Sequence, residues 1–172
     1  MSETGPTTPV GGSWEDLARS ARSVEVDGEG QEDLRQLLTF EVDATPYAVA
    51  VERVREIVRI RPITPVPRMP ADVRGVISLR GEIVEVIDLR RRLDLAPVEP
   101  VRSTRIIVVN SEDGRIAGLL VDAVREVFRV SEDAIQAANS SETEAVEALC
   151  VRGDEFISLI DLDRILQIDA RH

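Results

Sequence analysis

The chain writes one long phrase twice. Residues 75–93, GVISLRGEIVEVIDLRRRL, come round again as residues 148–166, ALCVRGDEFISLIDLDRIL, with the same Arg-Gly, the same Ile-Asp-Leu and the same closing Leu. A second phrase repeats in the same order and without a gap: VERVREIVRI over 51–60 matches VDAVREVFRV over 121–130, with Val51/Val121, Val54/Val124, Arg55/Arg125, Glu56/Glu126 and Arg59/Arg129 identical. Both ends of one half therefore recur in the other, and the body is a tandem duplication of a unit of about 65 to 70 residues.

Within each unit the apolar residues alternate as they do in strands. Leu38, Phe40 and Val42 share one face, a turn follows at Asp43-Ala-Thr-Pro46, and Tyr47, Val49 and Val51 continue in step. Residues 105–121 repeat the scheme: IIVVN, a turn at Ser111-Glu-Asp-Gly114, then RIAGLLV. In the long phrase, Val76–Arg80 and Ile83–Ile87 pair around a turn at Arg80-Gly81-Glu82. Asp88 then caps a short helix over Leu89–Leu93, and Asp161 does the same for LDRIL. Each unit offers about five short strands and one helical turn, the pattern of a small closed or nearly closed β-barrel, so two such barrels side by side are expected. The halves run over 34–95 and 104–168, separated by DLAPVEPVRS, whose Pro97 and Pro100 forbid a continuous element. Residues 1–33 hold eight acids and two Arg among Gly, Ser, Thr and Pro, and are expected as a flexible acidic tail ahead of a body spanning 34–172. Inside the tail, SWEDLARSA has the spacing of a short helix capped by Ser13, with Trp14, Leu17, Ala18 and Ala21 on one face.

The residue inventory excludes most catalysis. Cys150 is the only cysteine and His172 the only histidine, so there is no disulfide within the chain, no His/Cys cluster for zinc and hardly any triad that needs an imidazole. All 21 basic residues are Arg, which removes the Lys-bearing phosphate loop, and the glycines Gly75/Gly81 and Gly114/Gly118 match no dinucleotide fingerprint. Asp88 and Asp161 suit capping better than paired acid-base work, because aromatics are only 3% and a sugar cleft needs them. A net charge of -11 with no aromatic-plus-basic face points away from nucleic acid and toward protein partners. No apolar run approaches the length of a membrane span and the N-terminus has no secretory build, so a cytoplasmic protein without membrane insertion or cofactor is expected, and the sequon-like Asn139-Ser140-Ser141 has no use. Cys150 in an apolar strand is expected as a core residue.

Three further features stand out. Arg90-Arg91-Arg92 is expected as a solvated helix end beside the C-terminal dipole. The segment 59–75, RIRPITPVPRMPADVRG, carries Pro62, Pro65, Pro67 and Pro70, so it runs along an edge or surface with Ile63, Val66 and Met69, either docking a partner or covering the end of a barrel. Glu56 and Arg80 are charges embedded among apolar neighbours in repeated phrases; at a barrel rim they form an ordinary surface pair or border an interface.

YAVAVERVREIVRIRPITPVP, GVISLRGEIVEVIDLRRRL and GRIAGLLVDAVREVFRV together resemble the CheW family of bacterial chemotaxis coupling proteins, over residues 34–168. The resemblance implies two tandem SH3-like five-stranded β-barrel subdomains with short helices, in a non-enzymatic adaptor. It implies, as partners, the regulatory domain of a CheA-type histidine kinase and the cytoplasmic tip of methyl-accepting chemoreceptors, at membrane-associated arrays. Carried over by position, a receptor groove would use Leu38, Val51, Val54, Ile57 and Val124, the kinase side would involve Gly75, and Glu56 and Arg80 match the family's charged pair. The chain departs from the family at Ser78, where an Asn is usual, and over 136–148, which lack the usual Pro-rich stretch. The alternative is a CheW-fold adaptor of a specialised system, such as gliding motility or polar localisation, docking another partner through the tail; a small β-barrel enzyme or ligand carrier would need a deep polar pocket.

Overall fold

The computed structural model describes residues 34–138 and 145–167. The segment around Trp14, the Asn139-Ser140-Ser141 triplet and His172 lie outside the described residues.

Chain order is β1 (Leu34–Val42), β2 (Thr45–Ala50), a 3-10 turn (Val51–Arg53), β3 (Val54–Arg59), β4 (Val73–Leu79), β5 (Glu82–Asp88) and a one-turn helix α1 (Leu89–Arg92). The second half follows as β6 (Arg105–Asn110), β7 (Ile116–Val121), β8 (Ala123–Ser131), a 3-10 turn (Glu132–Ala134), β9 (Ile135–Ala137), β10 (Val146–Arg152), β11 (Glu155–Ile160) and α2 (Leu162–Ile165). The mostly β character with short helices is as expected; the second half adds the three-residue β9 to its five strands. The counterpart of β9 in the first half is a single bridge, Thr64 to Val76.

The strands do not divide between the sheets as the sequence halves do. One sheet has the order β8-β1-β2-β11-β10-β9 and the other β3-β6-β7-β5-β4. Under the duplication β1 and β2 correspond to β6 and β7, β3 to β8, and β4 and β5 to β10 and β11. Each half has therefore placed its first hairpin in the sheet of the other half. The exchange is symmetric down to the parallel joins, β2 with β11 and β5 with β7. The expectation of one barrel per half is corrected accordingly.

The physical reason lies in burial on both faces of the exchanged hairpins. Leu37 faces a core with Ala48, Val130, Cys150, Ile157 and Leu159, while its neighbour Leu38 faces a central core with Phe40, Val49, Ile107 and Leu119. In β6, Ile106 and Val108 enter a third core with Ile77, Val84 and Val86, while Ile107 and Val109 enter the central one. Strands buried on both sides are continuous apolar runs, which is why IIVVN and GLLV show no polar alternation. The central core joins residues of both sheets, and Cys150 is fully buried.

The turns are tighter than the residue pattern suggested. Val42 pairs with Thr45, so Asp43 and Ala44 alone make the first turn, both with positive φ (56° and 62°). Leu79 pairs with Glu82, leaving Arg80 and Gly81 (φ 53° and 85°) as the turn and Glu82 as the first strand residue. These are the backbone signs a right-twisted two-residue hairpin favours. In the second copy Arg152 pairs with Glu155 and the turn is Gly153-Asp154. The repeated Arg-Gly is thus displaced by one position: Arg80 is a turn residue and Arg152 a strand residue.

Candidate functional site

Edge strand β3 carries Arg55 and Glu56, and the β4–β5 hairpin carries Arg80 and Glu82 at its tip. Although β3 and β4 are opposite edges of their sheet, these side chains meet. Arg80 donates to Glu56 through Nε (3.2 Å) and Nη2 (3.0 Å), a two-pronged pair, and Arg55 donates to Glu82 at 3.4 Å. Beneath the pair lies a pocket of about 80 Å³ lined by Leu79, Val84, Val108 and Ile116 among others. The second half repeats the clasp: Arg152 donates to Glu126 and Arg125 donates to Glu155 through both terminal nitrogens. Arg152 additionally lies over the Phe128 ring at 4.5 Å. The displaced Arg-Gly hides this correspondence in the sequence.

Of the five residues assigned to a receptor groove, Leu38, Val51 and Val54 are buried in the central core, none more than 6% exposed. Ile57 on β3 and Val124 on β8 are half-buried and pack on the same core, as does Val127. The edge strands of the two sheets thus both present apolar side chains over one core, with the three buried residues as their support. Gly75 sits on β4 at an irregularity in its pairing with β5. Its φ is +142°, and a Cβ there would lie 2.2 Å from the Thr64 carbonyl oxygen, so only glycine lets the proline-rich segment bridge onto Val76. That segment both covers and presents: Ile63 packs against the β4–β5 core while Val66 is exposed. Ser78 is exposed, and its carbonyl accepts from Arg61.

The capping acids behave as expected. Asp88 accepts from the Arg90 N–H and Asp161 from the Arg164 N–H. Asp88 is only 2% exposed and also accepts from Arg74 Nη1 at 3.1 Å. In the arginine run Arg91 is exposed, as expected of a solvated helix end, but Arg90 and Arg92 are drawn in. Arg90 donates twice to Asp122, through Nε (3.1 Å) and Nη2 (2.8 Å), and to the Ala96 carbonyl, and its side chain is 14% exposed. Arg92 donates to the Arg164 carbonyl of the other half. Burial raises the Asp122 carboxyl, but the Arg90 hydrogen bonds and the Asp43 N–H outweigh it and hold its pKa below the ordinary aspartate value. A helix that fills consecutive directions around its axis has sent each Arg to a different neighbour.

Among the described residues no group of His, Cys, Asp and Glu gathers as a metal site, and no helix is long and apolar enough to cross a membrane. The conspicuous features are two clasped hairpin tips and two partly exposed edge strands over one core. The class defined by this arrangement is a duplicated, mostly β module of two interleaved sheets.

A family model described as the CheW-like domain matches residues 36–170. The chain is 35% identical over 142 residues to Chemotaxis protein CheW of Rhizobium meliloti (strain 1021), covering 80% of this chain and 90% of that one. Against Chemotaxis protein CheW of Bacillus subtilis (strain 168) it is 32% identical, with coverage of 78% and 88%. Protein FrzA of Myxococcus xanthus is 28% identical over 138 residues, 77% of this chain and 86% of that one. The crystal structure of scaffolding protein TtCheW from Thermoanaerobacter tengcongensis superposes with a TM-score of 0.74 at 31% identity, covering 80% of this chain and 95% of that one. The chain belongs to the CheW family.

Proposed function

We propose that this protein is a non-enzymatic adaptor that couples chemoreceptor tips to the regulatory domain of a CheA-type histidine kinase in the cytoplasm, at membrane-associated receptor arrays, with its two sheets acting as SH3-like barrels. The observation that carries the reading is the Glu56–Arg80 clasp: a two-pronged pair at an exposed hairpin tip, with the Arg80 side chain 75% exposed. An exposed pair contributes roughly 0 to 1 kcal/mol to folding, so its value lies in what it presents to a partner. Kinase contact is assigned to this tip and the adjoining β4 around Gly75, and receptor contact to the edge strands through Ile57 and Val124, with Leu38, Val51 and Val54 holding them in place. An adaptor of this kind alters kinase activity only by binding its active and inactive arrangements unequally.

Calorimetric titration of the kinase regulatory domain into wild type, Arg80→Glu and Ile57→Asp tests the reading. Micromolar or tighter binding by wild type, weakened by Arg80→Glu and retained by Ile57→Asp, is expected; a receptor fragment should show the reverse sensitivity. No binding of wild type to any such kinase domain overturns the reading. A second reading is an adaptor for a specialised system, such as gliding motility or polar localisation, docking through the tail; among the relatives, Protein FrzA carries no chemotaxis name. Substituting Trp14 and Leu17 by Ala would then abolish partner binding while leaving kinase binding unchanged.

A further inference from the structure

One surface feature is explained neither by the fold nor by the clasp. At the end of β3 an open cleft of about 700 Å³ is lined by Arg59, Ile60, Arg102, Ser103 and Arg105, three guanidinium-bearing residues and no carboxylate, on a chain of net charge -11. Arg59 and Arg105 stand directly opposite each other in the β3–β6 pairing. Like charges in that relation destabilise a sheet, so the pair does not serve folding. Nor is it inherited from the duplication: Arg129, which matches Arg59, faces Gln36 in the β1–β8 pairing. No carboxylate among the described residues pairs with Arg59, Arg102 or Arg105, although most other arginines are paired. Arg105 is held in place by donating Nη1 to the carbonyls of Arg102 (2.8 Å) and Thr104 (2.9 Å). Preorganised guanidiniums present the planar fork that binds carboxylates.

The position of the cleft tells what brings the carboxylate. Ile57 lies two residues before Arg59 on β3 and therefore on the same strand face, over the central core. We propose that the Arg59–Arg102–Arg105 cleft is the charged end of the edge-strand docking surface and takes acidic side chains of the receptor segment whose apolar stripe covers Ile57 and Val124. The inference rests on the docking reading above and adds the chemistry of the partner: an apolar stripe ending in carboxylates. On so acidic a protein, such a segment is repelled elsewhere and attracted here, which sets its direction along the groove and speeds its association.

The test titrates an isolated cytoplasmic receptor fragment into the full chain at low and high salt. The variants are Arg59→Gln, Arg105→Gln, the double variant, and Arg164→Gln as a control for charge outside the cleft. Each single cleft variant should weaken binding about fivefold at low salt and the pair more, mainly through slower association. The difference should shrink at high salt, while Arg164→Gln stays near wild type. Because the like-charge pair is relieved, Arg59→Gln should melt at or above the wild-type temperature, so lost binding cannot be lost folding. Wild-type binding that is equally strong in the double variant overturns the proposal and leaves the docking reading standing. Cleft variants that lose only a weak affinity for inorganic phosphate, with the receptor unaffected, overturn it too. Absence of wild-type binding to the fragment removes both readings.

Discussion

Arg152 meets Glu126 at 2.5 Å in the second half as Arg80 meets Glu56 in the first, so each half ties its edge strand to the tip of its last hairpin through one Glu and one Arg. The two pairs differ in their settings. Arg152 is 38% exposed and rests on Phe128, whereas Arg80 is 75% exposed at positive φ. Arg80→Gly should therefore leave stability unchanged or raise it by about 1 kcal/mol, because relief of the left-handed backbone offsets a weak pair. Arg152→Gly should lower stability by about 1 to 2 kcal/mol, since it removes both the pair and the ring contact and puts glycine in a strand. Urea denaturation of the two variants measures this, and equal losses would contradict the difference in role.

Separated halves should not fold. The β1–β2 hairpin buries Leu37, Leu38, Phe40, Val42, Ala48 and Val49, and its neighbours in the sheet are β8 and β11 of the other half. At about 1.5 to 3 kcal/mol for each large apolar side chain, exposing these costs on the order of 10 kcal/mol, as much as a whole domain's stability. Fragments 34–100 and 101–167, produced apart, should show no cooperative melt, and mixing them should restore one with heterodimer formation by ultracentrifugation. A cooperative transition in either fragment alone would count against the exchange.

The two capping acids should differ in weight. Asp161→Ala removes a half-buried cap and should cost about 1 kcal/mol. Asp88→Ala also strands Arg74 beside a buried site and should cost about 2 to 4 kcal/mol, with Asp88→Asn recovering the cap but not the ion pair. Thermal or urea melts at neutral pH give the order directly.

Asp122 should contribute to acid sensitivity. Its carboxyl has a lower pKa folded than unfolded, so it favours the fold above about pH 4, and that contribution disappears as pH falls through the folded value. Asp122→Asn should be less stable than wild type at pH 7 and should lose less on acidification below about pH 4. Melting curves from neutral to acid pH will show the two proteins converging if the Arg90 contact works this way.

Much of this was legible in the residues. Period-two alternation located both hairpins of the first half, two apolar runs around the Ser111–Gly114 turn located the β6–β7 hairpin of the second, and the Asp before each Leu-rich turn identified the caps, because these signals are local and depend on a few adjacent side chains. Glu56 and Arg80 could be singled out as charges in apolar surroundings, and the structure brings them together. The second clasp escaped notice because the Arg-Gly of the two copies differs by one position around the turn, which sequence matching conceals and strand register exposes. Arg90 looked like surface charge because its partners, Asp122 and the Ala96 carbonyl, are set by packing and not by spacing.

The sequence by itself determined that the body is one unit written twice and that each unit is short strands with a capped helical turn. It could not determine which copy of a hairpin joins which sheet, since the duplicated hairpins present similar apolar faces to either. Only the tertiary structure decided this, by burying both faces of β1, β2, β6 and β7 at once through exchange. It also decided that Leu38, Val51 and Val54 are buried while Ile57 and Val124 are half-buried. Exposure is a property of the assembled sheets, and no residue's neighbours along the chain reveal it.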